Sequence, residues 1–274
     1  MVKRIFGTLA FFYAVSSAAM PLNSQYAVVV EDGTEQVLFE KNANVKVPIA
    51  SLTKLMTAMV ILDAKPNMDE IISIEQADFD MLKHSRSHVP LGTSLARREM
   101  LQLALMSSDN RAAAALARTY PGGNLKFVHA VRAKMKSLGM SNTVIEEATG
   151  LSPNNTSTAA DLVKMAVAAS RYPEIADITT DSSNLITIKG HRVKFRNTNR
   201  LVGSQGWDIL LSKTGFTNEA GNCLIMRIKL AGKKATLVLL NAGASSARFV
   251  DALKIRRFLT MNTKRQEQVA SIAP

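Results

Sequence analysis

The chain has 274 residues, of which 47% are hydrophobic and 20% charged, enough for one large globular unit or two tightly packed lobes, so disorder is not the default for it. Its formal charge is +12 and it carries one cysteine, Cys223, so no intramolecular disulfide staples the fold. Such an excess of cations implies a polyanionic neighbour or a solvated basic surface.

Lys3 and Arg4, the apolar run over 5–15 and the small residues Ser17-Ala18-Ala19 read as a secretory signal peptide over residues 1–19. The run is about a dozen residues, short of the roughly 20 that cross a bilayer. A cleaved leader is therefore expected, leaving no transmembrane anchor in the mature chain. The location this implies is periplasmic, with at most a loose association with wall or membrane. Lys3 and Arg4 leave with the leader and no acid does, so the mature charge is +10. Anionic wall polymer or lipid headgroups suit this charge better than nucleic acid, because the chain is exported and its cations are scattered.

Two β-rich runs, 26–30 and 36–39, flank Asp32-Gly33 and predict a first hairpin. Leu55, Met59 and Leu62 then recur at helical spacing up to Lys65-Pro66, which puts Ser51 at a helix N-terminus. Residues 69–172 lack strand alternation and predict a helical subdomain. Its helices are one capped by Ser94, one over 111–118, one over 125–138 and one that starts at Thr158 and ends before Pro173. Strand character returns at 185–189, 192–195, 208–212, 222–230 and 234–241, followed by an amphipathic helix over 246–259 and a flexible tail over 263–274. This order predicts an α+β fold: a mainly antiparallel sheet covered by helices, plus an all-helical subdomain, in one catalytic domain over 20–262.

Three motifs stand in order: Ser51-Leu52-Thr53-Lys54, Ser108-Asp109-Asn110 and Lys213-Thr214-Gly215. Each alone is weak; their joint occurrence, each in a suitable context, carries the signal. A serine hydroxyl needs a base close by, and a lysine three residues on along a helix shares its face. Lys54 can serve only if burial or nearby cations lower its pKa. Ser108, in a turn between two apolar helices, suits proton transfer to a leaving amine. Asn110 suits a substrate amide and the positioning of Lys54. Lys213 and Thr214 suit a carboxylate, Gly215 lets a substrate backbone approach, and the N–H groups of Ser51 and Phe216 would form an oxyanion hole. The alternative role for Ser108 or Asp109 is helix capping.

His84, His88, His129 and His191 give no rival triad, and no metal-spaced cluster occurs, so neither metal nor cofactor is expected. Glu146 and Glu147 offer a base for hydrolysing an acyl-enzyme or, more simply, the cap of a surface turn.

With these motifs go Pro48-Ile49-Ala50-Ser51, Lys54-Leu55-Met56-Thr57-Ala58-Met59, Leu103-Ala104-Leu105-Met106-Ser107-Ser108, Asn110-Arg111-Ala112-Ala113-Ala114, Tyr120-Pro121-Gly122-Gly123, Thr149-Gly150-Leu151-Ser152, Phe195-Arg196-Asn197-Thr198-Asn199 and Lys213-Thr214-Gly215-Phe216-Thr217-Asn218. Together they resemble the low-molecular-mass penicillin-binding proteins, in particular their D-alanyl-D-alanine endopeptidase branch. The resemblance implies the fold shared by DD-peptidases and serine β-lactamases, with Ser51 as acylated nucleophile, Lys54 as base, Ser108 and Asn110 as the second active element and Lys213 on the substrate carboxylate. It further implies peptidoglycan stem peptides as substrates and β-lactams as covalent inhibitors. Family carboxypeptidases often place histidine where Phe216 stands, so cleavage of cross-links is expected first, with pentapeptide trimming and β-lactamase activity as alternatives. The chain ends about sixty residues after Lys213, which leaves no room for the β-stalk and C-terminal anchor of many family carboxypeptidases and implies a freely diffusing enzyme.

Overall fold

A computed structural model describes residues 20–272; the leader expected over 1–19 lies outside the described residues, as do 273 and 274. The chain opens with β1 (Tyr26–Glu31) and β2 (Val37–Lys41), then β3 (Val47–Pro48), a single 3-10 turn at Ala50–Leu52 and α1 (Thr53–Asp63). The middle region holds β4 (Ile71–Ser73), β5 (Ser94–Ala96), α2 (Arg97–Met106), α3 (Asn110–Arg118), α4 (Gly123–Ser137), β6 (Thr156–Ser157) and α5 (Ala159–Ala169). It is followed by α6 (Pro173–Thr180), β7 (Ser183–Ile188), β8 (His191–Arg196), β9 (Asp208–Thr217), β10 (Gly221–Leu230), β11 (Lys233–Ala242) and α7 (Ser245–Ile272).

The main sheet has the order β2-β1-β11-β10-β9 and is antiparallel throughout. First and last thirds of the chain thus meet at β1 and β11, and β9 is left as an edge strand. Alternation along the strands divides the core. Ala27, Val29, Leu224, Met226, Leu237 and Leu239 face Phe249, Ala252, Ile255 and Leu259 of α7. Val28, Ile225, Val238 and Leu240 join the larger core formed with α1 to α6. One sheet between a single helix and a helical lobe is the α+β arrangement that the order of patterns predicts. Asp251 on α7, fully buried, accepts four bonds from Asn23 and Ser24 and so ties the start of the described chain to the closing helix.

Several boundaries differ from the sequence reading. Ser94 caps no helix: it lies in β5 opposite Ser73 of β4, and α2 starts after Ala96, whose N–H donates to Glu99. That pairing is tertiary and leaves no local signature. Strands β7 and β8 form a hairpin of their own outside the main sheet. Helix α5, capped as expected by Thr158 accepting from the Asp161 N–H, packs against β1, β10 and β11 as well as α1, so it serves sheet and lobe together. Finally, α7 runs to Ile272, through most of the segment read as a flexible tail; no glycine or proline interrupts it before Pro274.

Candidate active site

Ser51 sits in the 3-10 turn that leads directly into α1, a helix whose residues from Thr53 to Ile61 are all buried. A helix that is apolar on every side belongs in the centre of a protein, and it carries Lys54 inside with it, 1% exposed. The Lys54 ammonium donates to Ser51 Oγ at 2.9 Å, Asn110 Oδ1 at 2.7 Å and the Thr149 carbonyl at 2.7 Å. Burial pushes the pKa of Lys54 down to about 8, against the pull of the carboxylates of Glu147, Asp109 and Asp80. The residue before Ser51, Ala50, has φ +47°. Such left-handed geometry costs a non-glycine residue on the order of 1 kcal/mol and is held here by its surroundings.

The Ser108-Asp109-Asn110 turn joins α2 to α3. Ser108 is also left-handed, with φ +61°, and its Oγ accepts from Lys213 Nζ at 2.9 Å. Asp109 is the N-cap of α3, its carboxylate accepting from the Ala112 N–H and from Ser87 Oγ. Capping thus falls to Asp109 and leaves Ser108 free to face Lys213. Asn110 donates from Nδ2 to Ser85 Oγ at 2.8 Å, which turns its Oδ1 towards Lys54. The Ser85 N–H is in turn held by Asp80.

Lys213, Thr214, Gly215 and Phe216 lie in the interior of β9, which runs on to Thr217 past the expected end of the strand at 212. Lys213 is 1% exposed; burial, then neighbouring Lys54 and Arg248, hold its pKa well below that of an ordinary lysine. A carboxylate brought beside it would raise that pKa and favour the charged form. Thr214 donates to Thr198 Oγ1 at 2.6 Å, which ties β9 to the segment after β8. A Cβ on Gly215 would lie 3.2 Å from Ser51 N and 3.1 Å from the Ile49 carbonyl, so glycine allows the edge strand to abut the backbone of Ser51. Phe216 stands out from this edge, 58% exposed.

The structure therefore brings together Ser51, Lys54, Ser108, Asn110, Lys213, Thr214 and Gly215, with Phe216 on the rim. Three contributors have no role in the sequence reading. The Thr149 carbonyl is a backbone group and has no residue signature. Gly150, with φ +84°, passes so close beneath the nucleophile's turn that a Cβ would lie 2.0 Å from the Ala50 carbonyl. Arg248 reaches from α7, almost fully buried, and donates to the Gly215 carbonyl at 2.9 Å and the Cys223 carbonyl at 3.1 Å. Cys223 itself is fully buried, its thiol pKa pushed up to about 11 by desolvation, which fits an inert core residue.

A family profile described as D-alanyl-D-alanine carboxypeptidase matches residues 13–244. A D-alanyl-D-alanine endopeptidase of Pseudomonas aeruginosa is 43% identical over 266 residues, which span 93% of this chain and 86% of the relative. One of Escherichia coli is 43% identical over 249 residues, 90% of this chain and 80% of its own. Among solved structures, penicillin-binding protein D2 of Listeria monocytogenes in its ampicillin-bound form is 31% identical and superposes with a TM-score of 0.74, covering 87% of this chain and 97% of that one.

Proposed function

We propose, from the premise that the chain belongs to the D-alanyl-D-alanine carboxypeptidase family of serine peptidases, that it is an exported endopeptidase of the periplasm. It would cleave D-alanyl cross-links of peptidoglycan through an acyl-enzyme on Ser51 and be acylated there by penicillins. The curated relatives at 43% identity carry the endopeptidase name.

One observation carries the mechanism. Lys54 Nζ meets three oxygens, and two of them, Asn110 Oδ1 and the Thr149 carbonyl, can only accept. An ammonium satisfies all three; a neutral amine has two N–H bonds and one lone pair. Once Lys54 is neutral, both N–H bonds are committed to the obligate acceptors. The lone pair is then left facing the Ser51 hydroxyl, the one partner able to donate.

Lys54 takes the Ser51 proton as Oγ bonds to the scissile carbonyl carbon, and the N–H groups of Ser51 and Phe216 receive the developing oxyanion. As the C–N bond breaks, the leaving amine takes up the proton that Lys54 removed from Ser51, relayed through the Ser108 hydroxyl, so Lys54 is neutral again; Lys213, donating to Ser108 Oγ at 2.9 Å, orients that hydroxyl. Water then attacks the ester carbonyl, giving its proton to neutral Lys54, which passes it to the departing Ser51 Oγ and so restores the starting state. Glu147, whose carboxylate is saturated by five hydrogen-bond donors, is a poor base for fast deacylation, which argues against a β-lactamase.

Purified mature protein incubated with cross-linked muropeptide dimers, pentapeptide monomers and a penicillin, with products followed by mass, tests this reading. Dimer cleavage and a stable penicillin adduct absent from Ser51→Ala are expected. Loss of terminal D-alanine without dimer cleavage would make the enzyme a carboxypeptidase, and rapid penicillin turnover a β-lactamase.

A further inference from the structure

Glu147 belongs to none of the three motifs and, as a sequence feature, amounts to a turn cap. In the structure it is half-buried and organises the strand of chain beneath the nucleophile. Its Oε2 accepts from the Thr149 N–H and Thr149 Oγ1, each at 2.6 Å. Its Oε1 accepts from the Gly150 N–H at 2.6 Å, Asn155 Nδ2 at 3.0 Å and the Ser152 N–H at 3.3 Å. A carboxylate offers about four lone-pair sites, so no turn cap needs this many donors. Asn155, fully buried, extends the unit: its Nδ2 also meets Thr53 Oγ1 at 3.2 Å, and its carbonyl accepts from the Ile49 N–H at 3.0 Å. The loop is thus fastened to the chain on both sides of Ser51.

Two consequences meet at Lys54. The two peptides that flank Thr149 each donate their N–H to a different oxygen of Glu147, and the carbonyl of the second, that of Thr149, is the one that takes a Lys54 N–H at 2.7 Å. Gly150, pressed against the Ala50 carbonyl, leaves the loop no room to settle elsewhere. We propose that Glu147 is a positioning residue for acylation: by locking the Thr149 carbonyl against Lys54 Nζ it aims the amine's lone pair at Ser51 Oγ.

The inference rests on the reading of Lys54 as the base. The charged groups around that amine are Glu147, Asp109 and Asp80, which favour its ammonium form, and Lys213 across the site, which lies close enough for the two cations to repel. Glu147 is the foremost of the three carboxylates, so neutralising it makes the amine available at lower pH.

The test is the rate of acylation by a fluorescent penicillin as a function of pH in wild type, Glu147→Gln and Glu147→Asp, with thermal unfolding measured for each. Glutamine has one acceptor oxygen and turns N–H groups towards the loop's own donors. Its acylation should fall by about a hundredfold, the effect of a misplacement of roughly 1 Å at a reacting centre, and its acid limb should move to lower pH. Aspartate keeps the charge but is one methylene shorter, so its rate should fall while the acid limb stays in place. A folded Glu147→Gln that acylates within threefold of wild type, or that loses rate with an unmoved limb, overturns the proposal. Should Glu147→Gln fail to fold, a Glu147→Asp protein of wild-type rate overturns it alone. Failure of wild type to label at Ser51 would instead sink the reading on which the proposal rests.

Discussion

Replacing Lys54 with arginine separates a base from a mere positive charge. Burial brings the Lys54 pKa from the usual 10.5 to about 8, so at pH 7 roughly a tenth of molecules hold the neutral amine. An ordinary lysine would be neutral in about one of three thousand. The gain in reactive form is about 300-fold, set against a penalty on the charged form of about 3 kcal/mol. The sign follows: below pH 8 the amine is protonated and cannot take the Ser51 proton, so acylation rises about tenfold from pH 7 to 9 and then levels. Arginine keeps its proton across this range and has no lone pair to offer. Lys54→Arg should therefore lose three or more orders of magnitude and approach Lys54→Ala, the size of general-base and nucleophile losses in other enzymes. Stopped-flow acylation by a fluorescent penicillin between pH 6.5 and 9.5 reads both effects. A flat wild-type profile, or an arginine variant with a tenth of the wild-type rate, would mean that Lys54 supplies only charge.

Lys213→Ala should slow acylation by dimer and pentapeptide alike, by about 1.5–3 kcal/mol for a lost charge-assisted bond; steady-state kinetics showing a loss confined to pentapeptide would place the cross-link on other groups. Gly150→Ala drives a Cβ into the Ala50 carbonyl at a left-handed φ, so acylation should drop by about a hundredfold with a measurable fall in melting temperature, and a variant unchanged in both would show that the loop has slack. Phe216→His, on the exposed rim of β9, should shift the dimer-to-pentapeptide ratio of kcat/KM towards pentapeptide; an unchanged ratio removes Phe216 as a determinant of specificity.

The three motifs were legible because each coincides with a strong local pattern. Leu55, Met59 and Leu62 announce α1, the junction of two apolar helices exposes Ser108 and Asn110 as polar residues in need of a reason, and the apolar runs over 222–230 and 234–241 announce the strands next to that of Lys213. Failures cluster where a distant partner decides. Ser94 looks like a helix cap until β4 pairs with it. The strands expected at 185–189 and 192–195 look like part of the sheet until their hairpin turns out to stand apart. The strand of Lys213 was read as ending where the motif starts, because Thr214-Gly215 breaks the apolar run; the partners that continue it, Cys223 and Leu224 of β10, lie on another strand.

The site shows the same division at finer scale. Its candidate reacting side chains come from three short motifs, but what would make Lys54 a base comes largely from groups with no motif. The apolar packing that strips it of water is spread over α1 and its neighbours. The acceptor that helps aim its lone pair is a main-chain carbonyl at residue 149, contributed by a loop ninety-five residues further along the chain. Any residue type supplies a carbonyl, so sequence can mark that position only through what holds it there: the carboxylate of Glu147 and the missing Cβ of Gly150. A serine and a lysine at the right spacing are thus necessary and uninformative about rate. On the proposed mechanism, reactivity is set by how firmly Asn110 Oδ1 and the Thr149 carbonyl hold the two Lys54 N–H bonds and leave its lone pair no partner except Ser51.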